Sequence, residues 1–73
     1  MRIKITRNYL ELLWSRIMKN TGPALIANFG STTVRTYHFI DGSSAIITQD
    51  RWNNCVTLDI YSTTEKIAQF TTK

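Results

Sequence analysis

Three observations in the sequence predict an α+β fold: one amphipathic helical stripe near the N-terminus, a run of β-branched and aromatic segments after it, and a turn signal bounding each segment. The expected architecture is a small two-layer sandwich, an antiparallel sheet with one main helix and a short C-terminal helix on one face.

Residues 1–6 alternate Ile3 and Ile5 against Arg2, Lys4 and Thr6, the pattern of a short edge strand with one buried face. Asn8 is a good helix N-cap, with Glu11 three positions on as in a capping box. Leu10, Leu13, Trp14, Ile17 and Met18 then follow the i, i+3, i+4, i+7, i+8 spacing of one buried helical face. Arg16 and Lys19 complement the dipole in the last turn, and Gly22 and Pro23 end the helix, glycine being available for a left-handed cap. Strands are expected over 24–29, 34–40, 45–49 and 55–61. They are separated by the turn at Gly30, the Asp41-Gly42 turn and the polar connection 50–54. Ser62 with Glu65 reads as a second capping box, opening a short helix whose Ile67 and Phe70 face inward.

With 73 residues the chain is one domain, and a core this small supplies roughly 3–5 kcal/mol on its own. One cysteine, Cys55, excludes an internal disulfide, and one histidine, His38, supplies a metal site poorly. Added burial is therefore expected from association, as a homo-oligomer or with another protein. No segment has the length of an apolar membrane span and the N-terminus lacks a signal-peptide core, so the protein is expected in the cytoplasm without a membrane partner. The net charge of +4 is scattered except in the first seven residues, which marks a solvated surface rather than a nucleic-acid footprint.

The chemistry-bearing stretch is Gly42-Ser43-Ser44-Ala45-Ile46-Ile47-Thr48, followed by residues 54–63 with Asp59-Ile60-Tyr61-Ser62-Thr63 at their end. This block resembles the core of the prokaryotic, pyruvoyl-dependent S-adenosylmethionine decarboxylases, in which Glu-Ser-His-x-x-x-His precedes a strand ending Asp-Val-Phe-Ser/Thr-Cys. The resemblance runs without a gap over the block and covers roughly residues 24–70. It implies that Ser43 stands at the serine converted to a pyruvoyl group and that Thr48 stands at the processing histidine. By the same register Thr63 stands at the catalytic cysteine and Gly42 at the glutamate before the cleavage point. Trp52 replaces a glutamate that helps hold substrate, and Asp59 keeps the aspartate of the strand end.

Pyruvoyl chemistry needs groups that exchange protons near neutrality, as histidine and cysteine do and a threonine hydroxyl does not. The resemblance thus implies a divergent short relative, of the kind a phage genome carries, that has kept the frame without the catalysis. Such a pseudoenzyme is expected to bind or modulate an enzyme of S-adenosylmethionine or polyamine metabolism. It would hold no cofactor, since a pyruvoyl group arises only if Ser43 self-processes, and no metal. Two other readings stand beside it. One is an active decarboxylase cut before Ser43; the other is a small basic nucleic-acid-binding module using Arg2, Lys4 and Arg7, although the eight aromatic residues form no known stacking motif.

Overall fold

The computed structural model describes residues 2–73; Met1, the first residue of the expected N-terminal strand, lies outside them. The elements are β1 (Arg2–Lys4), α1 (Arg7–Lys19), β2 (Leu25–Phe29), β3 (Thr32–His38), β4 (Ser44–Asp50), β5 (Cys55–Tyr61) and β6 (Lys66–Thr71). The α+β two-layer architecture is present, with α1 on one face of a six-stranded sheet ordered β1-β6-β5-β4-β3-β2. Two details differ from the sequence expectation. The sheet is mixed, because β1 pairs in parallel with β6 while β2 to β6 form an antiparallel meander. The expected C-terminal helix is strand β6.

The second difference has a local cause. Ser62 Oγ accepts from the Thr64 and Glu65 amides at 3.3 and 3.1 Å, as an N-cap would, but the Ser62 amide also donates to the Glu65 carbonyl at 2.8 Å. That second bond closes a reversal, and a serine that caps helices equally well supports a turn. The chain returns along β5, placing Phe70 opposite Leu58 and Ala68 opposite Ile60. Phe70 packs against the core as expected, whereas Ile67 is exposed.

The first helix also begins earlier than its strongest sequence signal. Thr6, not Asn8, is the N-cap, and its hydroxyl accepts from the Tyr9 amide at 3.2 Å. Ile5 is still tied to the sheet, donating to the Thr71 carbonyl at 2.8 Å, so the helix starts directly after the strand and Glu11 is left to pair with Arg7 at 3.7 Å. At the other end Asn20 is the C-cap, and the Asn20 and Thr21 side chains bond to the carbonyls of Arg16 and Ile17 at 2.7 and 2.9 Å. Gly22 is therefore not needed in a left-handed conformation, and its φ is not positive.

Leu10 and Ile17 of α1 meet Tyr37, Ala45, Ile47, Val56 and Leu58 in the buried core. The coverage is partial for a geometric reason. β1 and β2 lie at opposite edges of the sheet, about 24 Å apart at about 4.8 Å per strand, and the 13-residue helix that joins them is about 20 Å long. The helix must run obliquely across the sheet, leaving apolar grooves on both flanks. One, of ≈ 470 Å³, is lined by Trp14, Met18, Ile26, Arg35 and Tyr37. The other, of ≈ 300 Å³, is lined by Leu13, Phe39, Ile60 and Phe70.

Candidate functional site

The β3–β4 turn is a tight loop in which the Phe39 amide donates to the Ser43 carbonyl at 2.9 Å and the Gly42 amide to the Phe39 carbonyl at 3.1 Å. The reversal needs a left-handed residue, and Gly42 supplies it at φ +92°. Asp41 Oδ1 accepts from both the Ser43 hydroxyl at 2.5 Å and the Ser43 amide at 2.9 Å. These bonds, the hydroxyl first, hold the Asp41 carboxyl below the usual carboxylate range.

The β5–β6 turn lies against this loop: a Cβ placed on Gly42 would stand 3.0 Å from Thr63 Cγ2. The turns that carry Ser43 and Thr63 thus adjoin at one end of the sheet. The remaining predicted residues are elsewhere. Thr48 lies in β4 between Val34 and Thr57, five residues from Ser43 and therefore about 17 Å along the extended chain. Asp59 lies opposite Ile46 and Gln69 on the sheet face that α1 leaves uncovered; it accepts from Gln69 Nε2 at 2.7 Å and pairs with Lys66 at 3.4 Å. Trp52, in the β4–β5 turn at the opposite end of the sheet, is 85% exposed.

Other residues that the sequence did not place at this end of the sheet lie near Ser43 and Thr63. His38 is in register with Ser44, and Ser44 with Tyr61, giving one row across that end of the sheet. The Lys66 ammonium stands 5.8 Å from the centre of the Tyr61 ring. These neighbours come from strand register, which leaves no local signature. Asp41 did have one, the Asp-x-Ser spacing of an Asx turn.

Converting Ser43 to a pyruvoyl group requires loss of the hydroxyl proton as oxygen attacks the Gly42 carbonyl, then a base for the Cα proton as the ester eliminates. Asp41 is placed to accept the first proton, but a carboxylate with a depressed pKa is a weak base. No second base is hydrogen-bonded to Ser43 among the described residues. Ser43 is half-buried and Thr63 exposed in two adjoining turns, and neither lines the grooves beside α1. The residues present do not fit an enclosed pyruvoyl site.

Cys55 does not lie where the resemblance places a catalytic cysteine, at Thr63. It starts β5, eight residues before Thr63, and its thiol lies 3.5 Å from Thr71 Oγ1, a bond that lowers the thiol pKa. The Trp14 indole donates to the Tyr37 hydroxyl at 2.8 Å, and the Arg35 guanidinium lies 5.2 Å from the centre of the indole. Arg2 and Lys4 lie together on the uncovered face at the β1 edge, away from Phe29 at the β2 edge. Among the described residues no group of His, Cys, Asp and Glu is placed to hold a metal, and no helix is long and apolar enough to cross a membrane.

No protein-family model, curated protein or solved structure matches the chain.

Proposed function

We propose that this chain is a non-catalytic relative of the S-adenosylmethionine decarboxylases that works by association: a cytoplasmic, self-associating protein that binds and modulates an enzyme of S-adenosylmethionine or polyamine metabolism. The observation that carries this reading is the juxtaposition of Ser43 with Thr63 at one sheet end while Thr48 and Trp52 lie elsewhere. Thr48 and Thr63, at the positions where the resemblance places a histidine and a cysteine, are not proton donors of the required kind, and Thr48 lies away from the turns that carry Ser43 and Thr63. The apolar grooves flanking α1 support the associative part, because they leave core-type surface open at Met18, Ile26 and Tyr9.

Self-processing at Ser43 has one observation in its favour, the Asp41 carboxylate on the Ser43 hydroxyl. Intact mass under denaturing conditions separates the two readings. A single 8.4 kDa chain after prolonged incubation is expected; two fragments breaking before Ser43, the smaller (residues 43–73) with a pyruvoyl end, would overturn the non-catalytic reading. The associative reading is tested by titrating the uncut chain into a purified pyruvoyl-dependent S-adenosylmethionine decarboxylase. Co-elution with a changed decarboxylation rate is expected, and neither co-elution nor a rate change would count against that partner.

A further inference from the structure

We propose that two copies of this chain join through the outer edge of β2, antiparallel about a two-fold axis at Ala27, to make one continuous twelve-stranded sheet from the two six-stranded ones. This deepens the self-association in the reading above and rests on that part of it alone.

The free edge can be read from the ladder. The Phe39 amide bonds to the Ser43 carbonyl and the Arg51 amide to the Ser31 carbonyl, so odd-numbered residues of β3 address β4 and even-numbered ones address β2. In register, Thr32, Val34 and Thr36 face Phe29, Ala27 and Leu25. The main-chain groups of Ile26 and Asn28 therefore point outward, and among the described residues no strand pairs with them. Leu25, Ile26 and Phe29 are 66%, 60% and 67% exposed.

Edge strands are normally protected by charge, proline, a bulge or a cover. β1, the other edge, carries Arg2 and Lys4. β2 carries none of these devices: it lies within residues 20–34, fifteen consecutive positions without a charged side chain in a chain of net charge +4. Two positively charged molecules meet here with no ionic group opposed. The strand is also complementary to itself. An antiparallel pairing centred on Ala27 sets Ile26 opposite the second copy's Asn28, so both outward pairs exchange main-chain hydrogen bonds. Leu25 then falls opposite Phe29 at the closer, non-hydrogen-bonded spacing, where an aromatic–aliphatic contact is strongest. Because like faces pair, both helices lie on the same side, and the groove bounded by Met18, Ile26 and Trp14 runs into its counterpart across the seam. A second copy thus satisfies the edge, covers its apolar side chains and narrows the groove.

Two measurements on the full chain test this. Light scattering after gel filtration should give twice the 8.4 kDa monomer mass, and Ile26→Pro, which removes an outward amide without touching the β2–β3 ladder, should halve it. In a Cys55→Ser background, Ala27→Cys should oxidise to a covalent dimer, because facing residues at a non-hydrogen-bonded pair lie about 4.5 Å apart between Cα atoms, within disulfide reach. A wild-type monomer at every concentration would overturn self-association and this edge together. A wild-type dimer that survives in natively folded Ile26→Pro, or that fails to cross-link through Ala27→Cys, would overturn the β2 edge while leaving self-association in place.

Discussion

The Trp14 indole N–H donates to the Tyr37 hydroxyl at 2.8 Å, linking the half-buried side of α1 to the end of β3 across 23 residues of sequence. Tyr37 is buried, and the bond lets an aromatic pair enter the core without leaving a polar atom unpaired. Tyr37→Phe keeps the ring and strands the indole donor, so a loss of about 1 kcal/mol in urea unfolding is expected, within the usual range for one neutral hydrogen bond. Trp14→Phe in the same background should add less than it does alone, and fully additive losses would show that the two side chains are not coupled.

Leu58 and Leu10 are fully buried and lie at the contact between sheet and helix. Truncating such a side chain to alanine costs about 2–5 kcal/mol, which is comparable to all the stability that a core of this size provides. Leu58→Ala should therefore abolish the cooperative thermal transition seen by circular dichroism. If the protein dimerises through β2, raising its concentration should partly restore the transition by mass action. A variant that melts like the wild type at low concentration would contradict the core assigned here.

Gly42 and Thr63 give a test of the contact between the β3–β4 and β5–β6 turns. Gly42→Ala is strained twice, by φ +92° and by a Cβ set 3.0 Å from Thr63 Cγ2. It should destabilise the fold by about 1–2 kcal/mol, the order expected of a left-handed non-glycine residue. Thr63→Ser removes Cγ2 and should recover only the steric part, leaving a non-zero coupling in a double-mutant cycle. Zero coupling would place the two turns apart.

The core of the sheet was legible because Val56, Leu58 and Ile60 alternate with Thr57 and Asp59, and an alternating run has one reading when one face is buried. The main helix was legible from Leu10, Trp14 and Ile17, but Met18 of the same stripe is 57% exposed because the helix crosses obliquely and its last turn overhangs a groove. The segment after Ser62 was not legible. Ser62 and Glu65 fit both a capping box and a turn, and what decides between them is the vacant edges of β5 and β1, which only the assembled sheet presents. The candidate site was legible only in part: Ser43 and Thr63 fall in hairpin turns that adjoin at one end of the sheet, whereas His38, Tyr61 and Lys66 reach that end through strand register.

The exposed turns should set the acid limit of stability. The Ser43 hydroxyl and amide lower the Asp41 pKa, and the Asn53 side-chain and backbone amides do the same for Asp50. A carboxyl whose folded-state pKa lies below its unfolded value binds fewer protons when folded. Its contribution is therefore fully present above the unfolded value of about 3.9 and is lost as pH falls through the lower folded value. The melting temperature should accordingly fall on acidification below about pH 4. Asp41→Asn keeps an acceptor for Ser43 while removing the titration, and combined with Asp50→Asn it should flatten that acid limb without altering its form above pH 5 or so. An acid limb unchanged in the double variant would show that neither turn carboxylate is held in its ionised form by the bonds described, and that the Asp41–Ser43 contact does not persist in solution.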